Sequence, residues 1–539
     1  MKITLAQLNP RIGDFSAILT KLKNAIETAV TDQADLIVFP ELSLTGYSPK
    51  DLLLSASFQE QVAHSLEVVL GLSRQYPDLG ILVGAPHPCA DGEKYDNAAL
   101  LFYRGALIFK QQKTLLPFYD VFDEPRYFES AKEVSVIAFK GEILGISVCE
   151  DAWKQHHKSY EKDPIDTLVK KGATLIINLT ASPFELGKAQ VRQQVFCTHA
   201  IRHKLPVLMV NQVGGQDHLI FDGGSFFLNA QGEAVFQAPF FKEFVHTIET
   251  TQPPVLNSEE QLVMMALYEA LVLGIRDYVY KCGFSSIALG LSGGIDSAVV
   301  ACLAVAALGK EQVTGILMPS AISSSDSVTD AAQLAHHLGI QTHILPIASL
   351  FTTAVETLAP LGNQAYSYNL TEQNLQARLR GVCLMAYSNQ TNCLVLATGN
   401  KSELAVGYST LYGDMNGALL PLGDVYKTQV YELARLINQT QVLIPENTLT
   451  KPPSAELSPN QKDQDTLPPY EILDAILFAL IEENQSETQI VESSFLPETV
   501  KWVQKALKRS EYKRFQAASI LKVSKKAFGP GRRLPIAVG

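Results

Sequence analysis

A chain of 539 residues that is 47% hydrophobic and 18% charged carries ample apolar material for packed cores, which excludes a disordered protein. Its formal net charge of −11 excludes a general polyanion binder, since a phosphate backbone demands a basic face, so nucleic acid is not an expected partner. Seven cysteines, an odd count without a CxxC pair, offer neither a zinc nor a disulfide framework and fit a reducing, cytoplasmic setting.

The opening MKITLAQLNP has one lysine and then alternates like a strand, without the apolar core of a signal peptide. The longest apolar run, Ala298–Leu308, is about half of what a membrane span needs. Length alone allows roughly three or four folding units, and two large α/β domains are an equally fair division. Over residues 1–246, Lys2–Leu8, Leu36–Phe39, Gly80–Gly84, Ala98–Tyr103, Leu144–Val148, Leu175–Asn178 and Val207–Val210 are apolar and β-branched enough to be buried strands. Ser225–Leu228 and Glu233–Gln237, joined by Asn-Ala-Gln-Gly, predict a hairpin. The polar, proline-containing stretch Thr247–Glu260 predicts a linker.

A helix from about Gln261 to Lys281 opens the second domain, 261–539. Strand Ser286–Leu291, helix Ser297–Leu308, strand Val313–Met318, helix Ser327–Leu338 and strand His343–Pro346 follow. Helix Gln373–Ser388 and strand Cys393–Thr398 repeat the alternation, which is that of a Rossmann-like parallel sheet with crossover helices. Tyr408–Gly423, with glycines at 413, 417 and 423, reads as a mobile loop able to cover a site. From Lys501 onward eleven Lys or Arg face one acid, Glu511, which makes either a solvated face or a seat for a phosphorylated substrate.

Three residues of the first domain stand at strand ends: Glu41 after Leu36–Pro40, Lys113 after Ala106–Phe109, and Cys149 after Gly145–Val148. Cleaving an amide with cysteine requires a thiolate, a proton acceptor and a cation for the oxyanion, and these three side chains supply the three types. In the second domain Gly290, Leu291, Ser292, Gly293, Gly294, Ile295, Asp296 and Ser297 join an apolar strand to an apolar helix. The glycines let backbone approach a phosphate, and the helix N-terminus and both hydroxyls favour negative charge there. Asp296 inside an anion cradle is repulsive unless a cation bridges it, which points to Mg²⁺.

The Ser-Gly-Gly-Ile-Asp-Ser loop resembles that of the pyrophosphatase-type ATP-binding domains, which activate substrates as adenylates. The Phe-Pro-Glu-Leu, Lys-Thr-Leu-Leu-Pro and Cys-Glu-Asp-Ala-Trp segments, 72 and 36 residues apart, resemble those of the nitrilase family. That resemblance implies an α-β-β-α sandwich with Glu41 as general base, Lys113 as oxyanion support and Cys149 as nucleophile.

Together the halves are similar to the glutamine-dependent NAD(+) synthetases over nearly the whole chain. The resemblance implies a homo-oligomer that uses ATP, Mg²⁺, glutamine and deamido-NAD. It implies glutamine contacts at Tyr119, Glu150, Ser182 and Lys188, and a further glutamate at Glu124. It implies an ATP contact at Thr398 and deamido-NAD contacts at Asn374, Glu403 and Lys513, with Glu403 joining Asp296 at the metal. Lys427 starts a helix and either reaches the ATP phosphates or lies on the surface. Two other readings stay open: an amidotransferase for a different adenylated acid, and a nitrilase-type hydrolase whose second module senses a nucleotide.

Overall fold

The computed structural model describes residues 1–89, 94–155, 160–251, 263–361 and 367–537. The chain forms two compact units, Met1–Gln261 and Leu262–Gly539.

In the first unit two six-stranded sheets lie face to face. One runs, in spatial order, Phe244–Glu249, Lys2–Gln7, Leu36–Val38, Gly80–Pro88, Tyr95–Tyr103 and Ala106–Gln112; the other runs Ala234–Gln237, Phe226–Leu228, Val207–Asn211, Leu175–Thr180, Glu142–Val148 and Val136–Phe139. The period-two alternation of each strand decides its layers. Ile3, Leu5, Leu36 and Val38 meet Leu144, Ile146, Leu175 and Ile177 between the sheets. On the outer faces, Ile37, Phe39, Ile81 and Val83 pack on helices Phe15–Thr31 and Ala56–Gln75, and Ile176, Val207 and Met209 on helices Pro164–Lys170 and Lys188–His203. The result is the α-β-β-α sandwich. The predicted hairpin is present, with Phe226 opposite Gln237. Ile3 pairs antiparallel with Ile248, so residues 247–249 belong to this sheet and not to a linker. Residues 250–251 form a turn, and the remaining part of the predicted linker, from 252 to 260, lies outside the described residues.

The second unit holds one sheet in the order Gln341–Ile344, Val313–Leu317, Ile287–Gly290, Leu394–Leu396, Leu419–Leu420 and Ser519–Ile520, every pair parallel. Numbered along the chain this is 3-2-1-4-5-6, the doubly wound order, whose crevice opens beyond the C-terminal ends of strands 1 and 4. Helix Ile295–Leu308 is apolar on all faces because it is a core helix, packed on helices Val263–Lys281 and Lys427–Asn438. Part of the predicted mobile loop is sheet: Leu419 and Leu420 are fully or almost fully buried.

The C-terminal third adds a helical layer absent from the sequence reading. Helices Tyr470–Ile481 and Pro497–Arg509 bury Leu473, Ile476, Leu477, Val500 and Val503 against Leu404 and Ala405. The basic residues of Pro497–Arg509 thus line its outer face, while Arg514 turns inward and donates to Ala405 O at 2.6 Å. Lys401 is buried and donates to Ser524 Oγ at 2.8 Å and Lys526 O at 2.9 Å. No described helix is long and apolar enough to cross a membrane.

Candidate active sites

In the first unit Glu41 stands in the turn after strand Leu36–Val38 and is fully buried. Gly84 on the next strand makes room for it: a Cβ there would lie 2.4 Å from Pro40 O and 2.8 Å from Glu41 Cα. Lys113, just beyond strand Ala106–Gln112, donates from Nζ to Glu41 Oε1 at 2.7 Å and to Glu124 Oε1 at 2.8 Å. Asn97 Nδ2 donates to Glu41 Oε1 at 2.7 Å, the Ala181 N–H to Glu41 Oε2 at 3.0 Å, and the Tyr47 hydroxyl to Glu124 Oε1 at 2.8 Å.

Cys149 closes strand Glu142–Val148 and opens the helical turn Cys149–Ala152 with a φ of +41°. A left-handed φ on a residue with a Cβ is disfavoured and is kept where a turn must aim a side chain. Asp151 fastens this turn to the lysine's segment. Its Oδ1 accepts from the Thr114 and Leu115 N–H groups at 2.9 and 2.8 Å, and its Oδ2 from the Val148 N–H at 3.1 Å. His199 donates from Nε2 to Ala152 O at 2.7 Å, the carbonyl fixing the tautomer.

Burial, and then the Glu41 charge, push the Cys149 thiol up, against the pull of Lys113. The resting sulfur is therefore a thiol, and a neighbouring base must take its proton. Burial opposes the charge of Lys113, but Glu124 and Glu41 outweigh it and hold the ammonium protonated. Glu124 itself is raised to about 7, by burial, with Lys113 opposing.

Of the predicted glutamine contacts, Glu150 accepts from the Tyr119 hydroxyl at 3.1 Å and from the Tyr160 hydroxyl at 3.0 Å. Burial raises its carboxyl to about 7, with Lys113 opposing. Ser182 follows Ala181, the residue bound to Glu41, and its N–H donates to Asn211 Oδ1 at 3.0 Å. Lys188 is half-buried at the first turn of helix Lys188–His203. Tyr47, Asn97, Asp151, Tyr160 and His199 escaped the sequence reading. Only Asp151 had a visible signal, as part of the Cys-Glu-Asp-Ala-Trp segment.

In the second unit strand Ile287–Gly290 turns through Leu291–Gly294 into helix Ile295–Leu308. Gly293 has a φ of +78°, and a Cβ there would lie 2.2 Å from Ser327 O, so only glycine fits. Ser292 Oγ accepts from the Gly294 N–H at 3.1 Å and lies 3.1 Å from Ser297 Oγ, which donates to Gly294 O at 2.9 Å. Thr398 follows the adjacent strand Leu394–Leu396, so the two strand ends flank the point where the sheet order reverses. A cavity of about 300 Å³ opens there. It is lined by every predicted residue of the turn except Gly293, together with Thr398, Glu403 and Lys427.

Lys427 is no surface lysine. It is buried, and its Nζ donates to Asp296 Oδ2 at 2.5 Å and to Glu403 Oε1 at 3.1 Å. Asn400 joins the same cluster, donating from Nδ2 to Asp296 Oδ1 at 2.9 Å and accepting the Glu403 N–H at 3.0 Å. Burial raises Glu403 to about 8, with Lys427 opposing and Asp296 adding to the rise. Two carboxylates that meet at one point and are short of positive charge form a hard-oxygen donor set into which a divalent cation fits. Among the described residues no group of three or more metal-binding side chains is gathered.

Asn374 and Lys513 stand outside the cavity lining. Asn374 Oδ1 accepts from the Thr410 hydroxyl at 2.7 Å, and Lys513 Nζ donates to Gly407 O at 2.8 Å and Ser409 O at 2.6 Å. Both hold segment 407–410, which leads away from the helix of Glu403. Arg380 and Asp463 line the cavity and were not foreseen. Arg380 lies within a predicted helix, and Asp463 in a polar stretch without periodicity.

Comparison with known proteins divides the chain in the same way. Residues 2–252 match the carbon-nitrogen hydrolase family and residues 267–517 the NAD synthase family. A glutamine-dependent NAD(+) synthetase of Synechocystis sp. is 46% identical over 99% of this chain and 98% of its own length. One from Acinetobacter baylyi is 42% identical over 100% and 98%. The structure of the Acinetobacter baumannii enzyme in complex with ADP is 38% identical, with a TM-score of 0.78 over 99% of this chain and 98% of that one.

Proposed function

Since the chain belongs to the glutamine-dependent NAD(+) synthetases, we propose an assignment of its residues to the steps by which it amidates deamido-NAD with glutamine nitrogen at the expense of ATP. The observation that carries the assignment is chemical completeness in each unit. The first holds a cysteine, a carboxylate and a buried cation, and the second a phosphate turn at the sheet's switch point with its own charged cluster.

Glu41 takes the Cys149 proton as the sulfur attacks the side-chain amide of glutamine, and the Lys113 ammonium stabilises the oxyanion that forms. Collapse expels ammonia, with Glu41 returning the proton to the leaving nitrogen. Water, deprotonated by Glu41, then releases glutamate from the thioester. Glu124 and Tyr47 hold Lys113 in place and charged. Tyr119, Glu150, Ser182 and Lys188 seat the amino-acid end of glutamine, Glu150 facing its ammonium and Lys188 its carboxylate.

In the second unit the turn Leu291–Gly294, Ser297 and Thr398 bind ATP, and the nicotinate carboxylate of deamido-NAD attacks the α-phosphate. A carboxylate is a poor acyl donor, and adenylation gives it a leaving group that ammonia displaces as AMP. Asp296 and Glu403 would hold Mg²⁺, which supplies charge to the departing pyrophosphate. Lys427 adds a second cation at the same place. Asn374 and Lys513 serve deamido-NAD by shaping segment 407–410, and Glu403 lies between nucleotide and dinucleotide. The chain is expected to act as a homo-oligomer in the cytoplasm.

The test counts pyrophosphate and glutamate with and without deamido-NAD. Equal amounts of both, with pyrophosphate dependent on deamido-NAD, are expected. Glutamate without pyrophosphate would reduce the second unit to a sensor, and pyrophosphate evoked equally by another acid would displace the substrate.

A further inference from the structure

We propose that Arg192, with Asp222, is a positioning residue that sets the specificity of the amidase for glutamine over simpler amides. The proposal rests on the reading that Ser182 and Lys188 hold the amino-acid end of glutamine. Arg192 and Asp222 are each 1% exposed, and Arg192 Nη2 meets Asp222 Oδ2 at 2.8 Å. Arg192 lies on helix Lys188–His203 one turn after Lys188, so the two side chains leave the same face. Asp222 Oδ1 accepts from Asn211 Nδ2 at 3.1 Å, and Asn211 Oδ1 accepts from the Ser182 N–H at 3.0 Å. Asn211 Nδ2 also donates to Gly223 O at 2.9 Å, the carbonyl that Arg192 Nη2 reaches at 3.5 Å.

A single buried chain of bonds, Arg192–Asp222–Asn211–Ser182, therefore links the helix of Lys188 to the loop of Ser182. It fixes the spacing between two contacts to one end of the substrate; none of its four side chains bonds Glu41, Lys113 or Cys149, and it comes nearest to them at Ser182, next to the Ala181 N–H that holds Glu41. Arg192 Nε and Nη1 have no hydrogen-bond partner among the described residues. Asp222 is thus the main compensation for a buried guanidinium, and the link is intolerant of change. The pair does not touch the reacting amide. Its loss should weaken recognition of the α-amino and carboxylate groups and leave the chemistry intact.

The test compares glutamine with butyramide, which keeps the amide and lacks the amino-acid end. Asp222→Asn and Arg192→Met are expected to raise the KM for glutamine about tenfold or more with kcat little changed. The kcat/KM for butyramide should stay within about twofold, and Arg192→Lys should recover part of the glutamine KM. Circular dichroism and the thermal midpoint report whether each variant is folded, and NAD formation from ammonium chloride reports on the second unit. If Arg192→Met does not fold, Asp222→Asn and Arg192→Lys decide the matter. Equal loss on glutamine and butyramide, or no change on either, overturns the proposal. Lys188→Ala is the control: an unmoved glutamine KM there would refute the reading of Lys188 itself, whatever Arg192 does.

Discussion

At the scale of single residues, the site is governed by carboxyls that burial keeps near neutrality. Glu150 at about 7 is the clearest case. Its charge is present above that pH and is lost as pH falls through it, and in the proposed assignment that charge pairs with the glutamine ammonium. The KM for glutamine is therefore expected to climb severalfold from about pH 8 to about pH 6. Glu150→Gln should raise KM at the alkaline end and flatten the profile, and an unaltered profile in that variant would refute the role. Lys427 gives a second prediction. Removing it leaves the part-buried Asp296 and Glu403 without their cation, a loss of about 3 kcal/mol, at the low end of that for a broken buried pair. Lys427→Met should abolish NAD formation and lower the thermal midpoint of the second unit. Added Mg²⁺ should restore that midpoint more than it raises the unsubstituted protein's, because it supplies the missing charge. A midpoint indifferent to Mg²⁺ in both proteins would sink the metal assignment.

At the scale of elements, function depends on how closely two pieces of backbone approach. In Gly293→Ala the added Cβ meets Ser327 O and a left-handed φ, at a strain of about 1–3 kcal/mol before the clash is counted. Pyrophosphate release should fall at least tenfold while glutaminase activity persists. The strand-turn-helix around Gly293 was legible in the sequence because an apolar run, two glycines and a second apolar run are local signals. Glu41, Lys113 and Cys149 were legible for the same reason, each standing at or just beyond the end of an apolar stretch. His199 and Arg192 were not, since their work is to bridge elements distant in sequence, and Asp151 showed only as part of the Cys-Glu-Asp-Ala-Trp segment. The same limit hid the role of Lys427, whose partners lie 131 and 24 residues away. Residues 247–249 misled because a short polar edge strand reads like a linker until its partner, Lys2–Gln7, is known.

At the scale of the whole molecule, two cores and two sites share one chain. Cys149→Ala removes the sulfur and should cut glutamine-supported NAD formation by about 10³-fold or more, while ammonium chloride at mildly alkaline pH supports it. Loss of both activities in a folded variant would refute the separation of the sites. The sheets carry one more consequence, for the order in which the activities arise at the ribosome. The first unit's sheet gains its last strand, Phe244–Glu249, beside Lys2–Gln7, so the amidase can close once about 250 residues have emerged. The second unit waits for Ser519–Ile520 to pair with Leu419–Leu420, and for Ser524 and Lys526 to receive Lys401 beside Glu403. On the proposed division of the sites, a chain interrupted between those points holds a complete first unit and no second one, and is expected to hydrolyse glutamine without forming NAD.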